Sequence, residues 1–334
     1  MTFALYPPVK NIRMGQSKFS LNHRRYISIS NPCSDKLAAS IHRFQTQLSA
    51  KTELTFGKPH AEHVLLWIDM PASKARRTTK QQGTHNASKS SRAAANVIED
   101  YEIKCLQDSL RITAYSEAGV NNALQTLAQI LEHVSLEKAP MTPVMLPCFS
   151  IKDRPDVKAR GVMLDISRTK VPTMDTLLSL IDQFSMLKYN QIQLYTEHTF
   201  AFSNHKKVWQ DASPYTASDI IKIRQYCEDR FIDLVPNLNS FGHFERWLRH
   251  PSYHHLAECP DGFIHPFGGK HIPYGSTLKP DAASIKLLRG LYDEYLPLFD
   301  SQYFNIGGDE PWELGEGWSK AKCKKQGATN VYID

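Results

Sequence analysis

Several features of specialised proteins are scarce in this chain of 334 residues. Its six cysteines (Cys33, Cys105, Cys148, Cys227, Cys259 and Cys323) include no Cys-x-x-Cys pair, which argues against a zinc knuckle and against a dense disulfide framework. Free thiols in a reducing compartment are the simpler reading. No apolar run approaches the roughly 18 residues of a membrane span, and Met1 to Lys18 lacks the charged start and continuous apolar stretch of an export signal. A cytoplasmic, soluble protein with no membrane partner is the expectation, export staying open if the natural N-terminus lies upstream. Acids are missing altogether between Pro71 and Asn96, where Lys74, Arg76, Arg77, Lys80, Lys89 and Arg92 lie. These cations match the whole formal charge of +6, so the basic balance belongs to one segment and not to a nucleic-acid-binding face. That stretch, residues 71–96, is polar and aperiodic, which predicts a mobile surface insertion. It holds Asn86-Ala87-Ser88, a glycosylation sequon only if the chain is exported.

What is present suffices for about two globular domains, with 41% of residues apolar. The first, residues 1–150, reads as α+β. Tyr26-Ile27-Ser28-Ile29 alternates as a strand, and Leu37, Ile41, Phe44 and Leu48 recur at helical spacing behind the cap candidate Ser34. Val64 to Met70 reads as a buried strand, and Tyr101–Cys105 and Leu110–Tyr115 as alternating ones. A helix over Glu117–His133 carries Val120, Ala123, Leu124, Leu127, Ile130 and Leu131 on one side. Pro140, Pro143 and Pro147 then mark an extended linker or domain boundary.

After Arg160, in the second domain (151–334), short apolar strands alternate with amphipathic helices, the signature of a parallel α/β sheet. The strands are expected at Gly161–Ser167, Gln191–Thr196, Ile232–Asn237 and Tyr303–Ile306. The helices are expected at Met174–Lys188, Ala217–Arg230 and Asp281–Tyr295, the last two capped near Ser218 or Asp219 and by Asp281. In such an array ligands gather at the carboxyl ends of the strands. Each strand here ends in polar groups: Asp165 and Arg168, then Glu197 and His198, then Asn237, Asn239 and His243, and lastly Asn305-Ile306-Gly307-Gly308-Asp309-Glu310-Pro311-Trp312. Beyond a Gly-Gly pair strand alternation lapses, so Asp309 and Glu310 can face one ligand. Acids, a histidine and an arginine, with Phe200, Phe202, Trp247 and Trp312 as candidate aromatic surfaces, suit a sugar.

Three blocks, Arg160-Gly161-Val162-Met163-Leu164-Asp165-Ile166-Ser167-Arg168, Asn239-Ser240-Phe241-Gly242-His243 and Ile306-Gly307-Gly308-Asp309-Glu310, resemble in order those of the family 20 glycoside hydrolases. Gly119 to Gln129 resembles the last helix of that family's non-catalytic N-terminal domain. The resemblance implies a (β/α)8 TIM-barrel catalytic domain and a retaining exo-β-N-acetylhexosaminidase acting on terminal β-linked GlcNAc or GalNAc. It implies substrate-assisted catalysis, in which the 2-acetamido carbonyl attacks its own anomeric carbon to give an oxazolinium intermediate. Glu310 is then the general acid and base, Asp309 the holder of the acetamido group, Arg168 a ligand of the sugar hydroxyls, and His243 an orienting histidine supported by Glu197. Asp165 and Trp312 complete the expected substrate site. No cofactor is expected.

The chain departs from the family pattern twice. Thr196-Glu197-His198 stands where paired aspartates are common, and Asn239-Ser240-Phe241-Gly242-His243 where many members have Asp-x-Pro-Gly-His. These changes point to a distinct subgroup or altered specificity. A full barrel needs about 250 residues, whereas only the first half is recognisable after Arg160, so a chain truncated on the C-terminal side of its barrel is the expectation. A catalytically inactive carbohydrate-binding remnant is the alternative. A metal reading of His243, His250, His254, His255 and Glu258 is weak, because Pro251 interrupts the helix that would pair His250 with His254, and no metal is expected.

Overall fold

The computed structural model describes residues 3–21, 26–52, 56–57, 64–71, 99–136 and 144–334. Apart from Pro71, the basic insertion expected at 71–96 lies outside the described residues, as do the sequon and Pro140 and Pro143. The chain divides into two compact units, one of Met1–Arg160 with Asp182–Lys188 and Asp229–Phe231, the other formed by the rest.

The first unit runs β1 (Asn11–Ser20), β2 (Tyr26–Ile29), α1 (Asp35–Thr52), β3 (Val64–Asp69), β4 (Tyr101–Cys105), β5 (Leu110–Ala114), α2 (Glu117–Leu136) and β6 (Met145–Asp153). Among the described residues its six strands form one mixed sheet in the order β1-β6-β4-β5-β3-β2. Alternation does what the sequence predicts: Tyr101, Ile103 and Cys105, and Leu110, Ile112 and Ala114, all point into the core. Helix α1 begins behind Ser34, whose Oγ accepts from Leu37 N at 3.2 Å, and buries Leu37, Ile41, Phe44 and Leu48. Helix α2 buries every apolar residue predicted for it.

Two strands of this unit escape the sequence reading, β1 and β6. Most of β1 is exposed, so it carries no hydrophobic alternation, and it is held by antiparallel pairing with β6. The proline-marked segment is therefore no linker at its end: Pro147 lies within β6, an interior strand. It faces Lys18, where the β1–β6 register shifts, a bulge being where a sheet tolerates a residue without an N–H.

After β6 the chain runs β7 (Gly161–Asp165), α3 (Met174–Met186), β8 (Gln191–Tyr195), α4 (Lys206–Trp209), α5 (Ala217–Glu228), β9 (Asp233–Val235), α6 (Glu245–Leu248), β10 (Phe263–Ile264), β11 (His271–Ile272), α7 (Ala282–Tyr295), α8 (Lys320–Gln326) and α9 (Ala328–Ile333). Strands β7, β8 and β9 are parallel and in chain order. A parallel bridge between Asn237 and Asn305 extends the series, so the fourth predicted strand, Tyr303–Ile306, is reduced to one paired residue. Asp281 caps α7, accepting from Ala283 N and Ser284 N at 3.0 Å each. The cap of α5 is Thr216 and not Ser218 or Asp219: Thr216 Oγ1 accepts from Asp219 N at 3.2 Å while Asp219 Oδ2 accepts from Thr216 N at 2.8 Å, a reciprocal capping box.

Candidate active site

Strand register decides which side chains reach the carboxyl-end rim. Asp165 and Tyr195 are partners across β7 and β8, so both project from the same sheet face. One layer deeper, Gln193 Oε1 accepts from Asn237 Nδ2 and Asn305 Nδ2, each at 2.9 Å, a polar crosslink beneath the rim.

At the first strand end the Asp165 carboxylate organises the turn. Its Oδ1 accepts from Ser167 N at 2.9 Å and Arg168 N at 3.0 Å, and its Oδ2 from Arg168 Nε at 2.5 Å. Burial would raise this carboxyl, but the two backbone donors and the guanidinium outweigh it and hold the group below its ordinary value. Arg168, so oriented, lies with its guanidinium carbon 4.9 Å from the centre of the Tyr195 ring and is largely exposed. Asn239 Nδ2 donates to the Tyr195 hydroxyl at 2.7 Å, tying the ends of β8 and β9 together.

The centre of the site is His243. Its Nε2 is 3.3 Å from Asp309 Oδ2 and 3.3 Å from Glu310 Oε2, while its Nδ1 is 3.8 Å from Glu197 Oε1. Nε2 is buried and makes no well-directed hydrogen bond, so it sits between two carboxylates without being committed to either. Glu197 and His243 are buried, whereas the Asp309 and Glu310 side chains are 55% and 46% exposed. Burial pushes the Glu197 carboxyl up to about 7 against the opposing pull of His243.

The backbone around this centre is unusual. His243 and Glu310 both have left-handed conformations, at φ +63° and +50°, which a side chain with a Cβ adopts at a cost of roughly 1–3 kcal/mol each. Gly242 is packed so tightly that a Cβ there would lie 2.4 Å from the Asp309 carbonyl oxygen and 2.7 Å from that of Glu310. At Gly307, φ +52°, a Cβ would lie 2.2 Å from Asn239 Oδ1. These glycines let the third and fourth strand ends approach closely enough for His243 to meet the acid pair.

Two further acids hold the segment that follows. Glu258 is fully buried, and its Oε1 accepts from Gly315 N and Gly317 N at 3.3 Å, Ser319 N at 2.9 Å and Ser319 Oγ at 2.6 Å. Glu313 accepts from Ser276 N at 2.8 Å. Tyr332 of α9 donates its hydroxyl proton to Gly308 O at 2.8 Å.

The structure thus gathers Asp165, Arg168, Glu197, His243, Asp309 and Glu310 at one rim. Trp312 stands beside them, its ring centre 5.8 Å from that of His243. Of the other aromatic surfaces expected, Phe200, Phe202 and Trp247 are buried core residues. Trp247 supports the site from beneath, donating Nε1–H to Glu197 O at 2.9 Å. The histidine and glutamate set considered for a metal is not brought together: Glu258 serves the loop after the acid pair. Among the described residues, one ligand atom each from His243, Asp309 and Glu310 lies within 4.8 Å of the others. Sequence reading missed Tyr195, Glu313 and Tyr332, and weighed Glu258 only as a metal ligand. Tyr195 ends a strand, a position that could have drawn attention; the others have no local signature.

A family model described as "Glycosyl hydrolase family 20, catalytic domain" matches residues 158–331, and one for "Glycosyl hydrolase family 20, domain 2" matches residues 2–154. The chain belongs to glycosyl hydrolase family 20. Among family 20 relatives, Beta-hexosaminidase subunit A1 of Dictyostelium discoideum is 26% identical over 221 residues, which cover 64% of this chain and 39% of that protein. Beta-hexosaminidase of Porphyromonas gingivalis is 28% identical over 233 residues, covering 64% and 29%. The chain therefore spans well under half the length of these curated relatives. The chitobiase structure from Flavobacterium johnsoniae aligns with a TM-score of 0.75 at 22% identity, covering 99% of this chain and 50% of that one. The β-N-acetylhexosaminidase structure from Streptomyces coelicolor aligns with a TM-score of 0.70 at 20% identity, covering 98% and 64%. The fold is that of family 20, a small α+β domain followed by a TIM-barrel-type catalytic domain, here with three parallel strands extended by the Asn237–Asn305 bridge. Among the described residues no helix is long and apolar enough to cross a membrane.

Proposed function

We propose that this chain carries the catalytic residues of a retaining exo-β-N-acetylhexosaminidase that releases terminal β-linked GlcNAc or GalNAc by substrate-assisted catalysis. The observation that carries the reading is the single His243 nitrogen, 3.3 Å from both Asp309 and Glu310 and backed by the buried Glu197 carboxyl. In this reading the half-exposed Glu310 protonates the glycosidic oxygen and then activates water. Asp309 holds the acetamido N–H and balances the positive charge that grows on the oxazolinium ring. His243 faces both through Nε2 and has Glu197 on its Nδ1 side, which suits it to orient the pair. Arg168 offers the donors that its pairing with Asp165 leaves free to sugar hydroxyls, and Asp165 acts through Arg168. Trp312 supplies an apolar ring face beside the acids. The family membership supports the reaction class, and the relatives' names support the sugar.

The test is hydrolysis of a chromogenic β-N-acetylglucosaminide by the purified chain beside Glu310→Gln. General acid–base catalysis contributes about 10²–10⁴-fold, so the variant is expected to lose at least about 100-fold in kcat on a poor leaving group. Equal rates in parent and variant would overturn the assignment of Glu310.

A further inference from the structure

Behind the loops that carry Arg168 and Glu197 lies a cavity of about 270 Å³ that the reading above does not use. Its wall includes Lys170, Arg246 and Arg249, against one acid, Asp211. Among the described residues none of these three cations forms an ion pair; Arg249 Nε approaches His250 Nε2 at 3.4 Å. Unpaired guanidinium groups converging on one concave surface are a standing attraction for an oxyanion, whose geometry matches their donor fork.

A second observation is independent of the charges. His198 lines the same cavity, is 4% exposed, and its Nδ1 is buried with no hydrogen-bond partner. An unsatisfied buried polar atom costs stability unless something else completes its surroundings. Burial, with the fields of Arg246 and Arg249 added, pushes the His198 imidazole down to about 4, so at pH 7 it is neutral and can lend an N–H without adding to the positive charge. Ser167 and Thr199 close the cavity's inner wall, and Ser167 Oγ accepts from Glu197 N at 2.8 Å, so the cavity and the acid site share a loop.

We propose that this cavity binds a sulfate- or phosphate-type oxyanion through Lys170, Arg246 and Arg249, with His198 as a neutral hydrogen-bonding wall. The oxyanion comes either from free inorganic anion or from a charged substituent on a glycan. The proposal stands on this cavity alone and does not need the hydrolytic reading.

Sodium sulfate is titrated calorimetrically into the chain with ionic strength held constant by sodium chloride, and into Arg246→Gln/Arg249→Gln and Lys170→Gln. The last is an exposed position, where a substitution is expected to change stability by no more than about 0.5 kcal/mol. One saturable site is expected, weakened at least about ten-fold in the double variant, since one charge-assisted hydrogen bond lost accounts for that much, and measurably in Lys170→Gln. Tighter binding of 6-sulfated N-acetylglucosamine than of sulfate, lost in the same variants, assigns the anion to a glycan; equal binding assigns it to the free ion. No saturable binding, unchanged affinity in both variants, or displacement of sulfate by neutral N-acetylglucosamine would each overturn the proposal.

Discussion

Replacing Glu197 by glutamine is expected to change how stability depends on pH more than stability itself. In the folded chain burial holds this carboxyl at about 7, against 4.5 when unfolded, which favours its protonated form by about 3 kcal/mol. The folded state therefore keeps a proton that the unfolded chain releases between those values. The stabilisation is fully present below pH 4.5, is lost as pH rises toward 7, and stays lost above it. Glutamine fills nearly the same volume and titrates nowhere. The stability of Glu197→Gln relative to the parent should thus be about 3 kcal/mol more favourable at pH 8 than at pH 4, roughly 6–12 °C in Tm for a unit of this size. His198 titrates with the opposite sign, its folded value near 4 removing stability as pH falls from 6.5. Both proteins carry it, so the difference isolates Glu197. Calorimetric or circular-dichroism melting of the pair from pH 4 to 8 makes the measurement, and a Tm difference constant across that range would refute the reasoning.

Two other substitutions probe the scaffold around the acids. Gly242→Ala places a Cβ against the backbone oxygens of Asp309 and Glu310, which cannot yield as a flexible side chain would. A loss of at least about 2 kcal/mol in denaturant unfolding, together with a fall in kcat, is expected, and wild-type behaviour in both would contradict the packing described. Glu258→Ala removes the acceptor of four hydrogen bonds from the 315–319 segment. It is expected to cost about 3 kcal/mol or more and to speed amide exchange at Ser319; protection there equal to the parent's would count against the clamp.

Much of this protein was legible along the chain because the informative signals are local. Period-two burial in β4 and β5, helical periodicity in α1 and α2, and the capping side chains Ser34 and Asp281 act over a few residues, so pattern and structure agree there. The polar strand ends were visible for the same reason: Asp165, Arg168, Glu197, His243, Asp309 and Glu310 each follow an apolar run, and parallel topology alone brings such ends to one rim. Local pattern failed where pairing, not burial, makes the strand. Residues Asn11–Ser20 have almost no buried face, and Pro147 reads as a breaker until β1 supplies the bulge that accommodates it.

Only the tertiary structure decided how the acids are used. Composition cannot say that Phe200, Phe202 and Trp247 are core, or that Glu258 clamps a loop, because each depends on partners distant in sequence. Nor can spacing foresee the cavity of Lys170, Arg246 and Arg249, because Lys170 follows β7 while Arg246 and Arg249 lie on α6 and at its end, more than 70 residues away in sequence. The residue types in the rim blocks were set by the sequence itself. The protonation of Glu197, the strained placement of His243 and Glu310, and the unpaired charge behind them arise from burial and long-range packing, which no local pattern records.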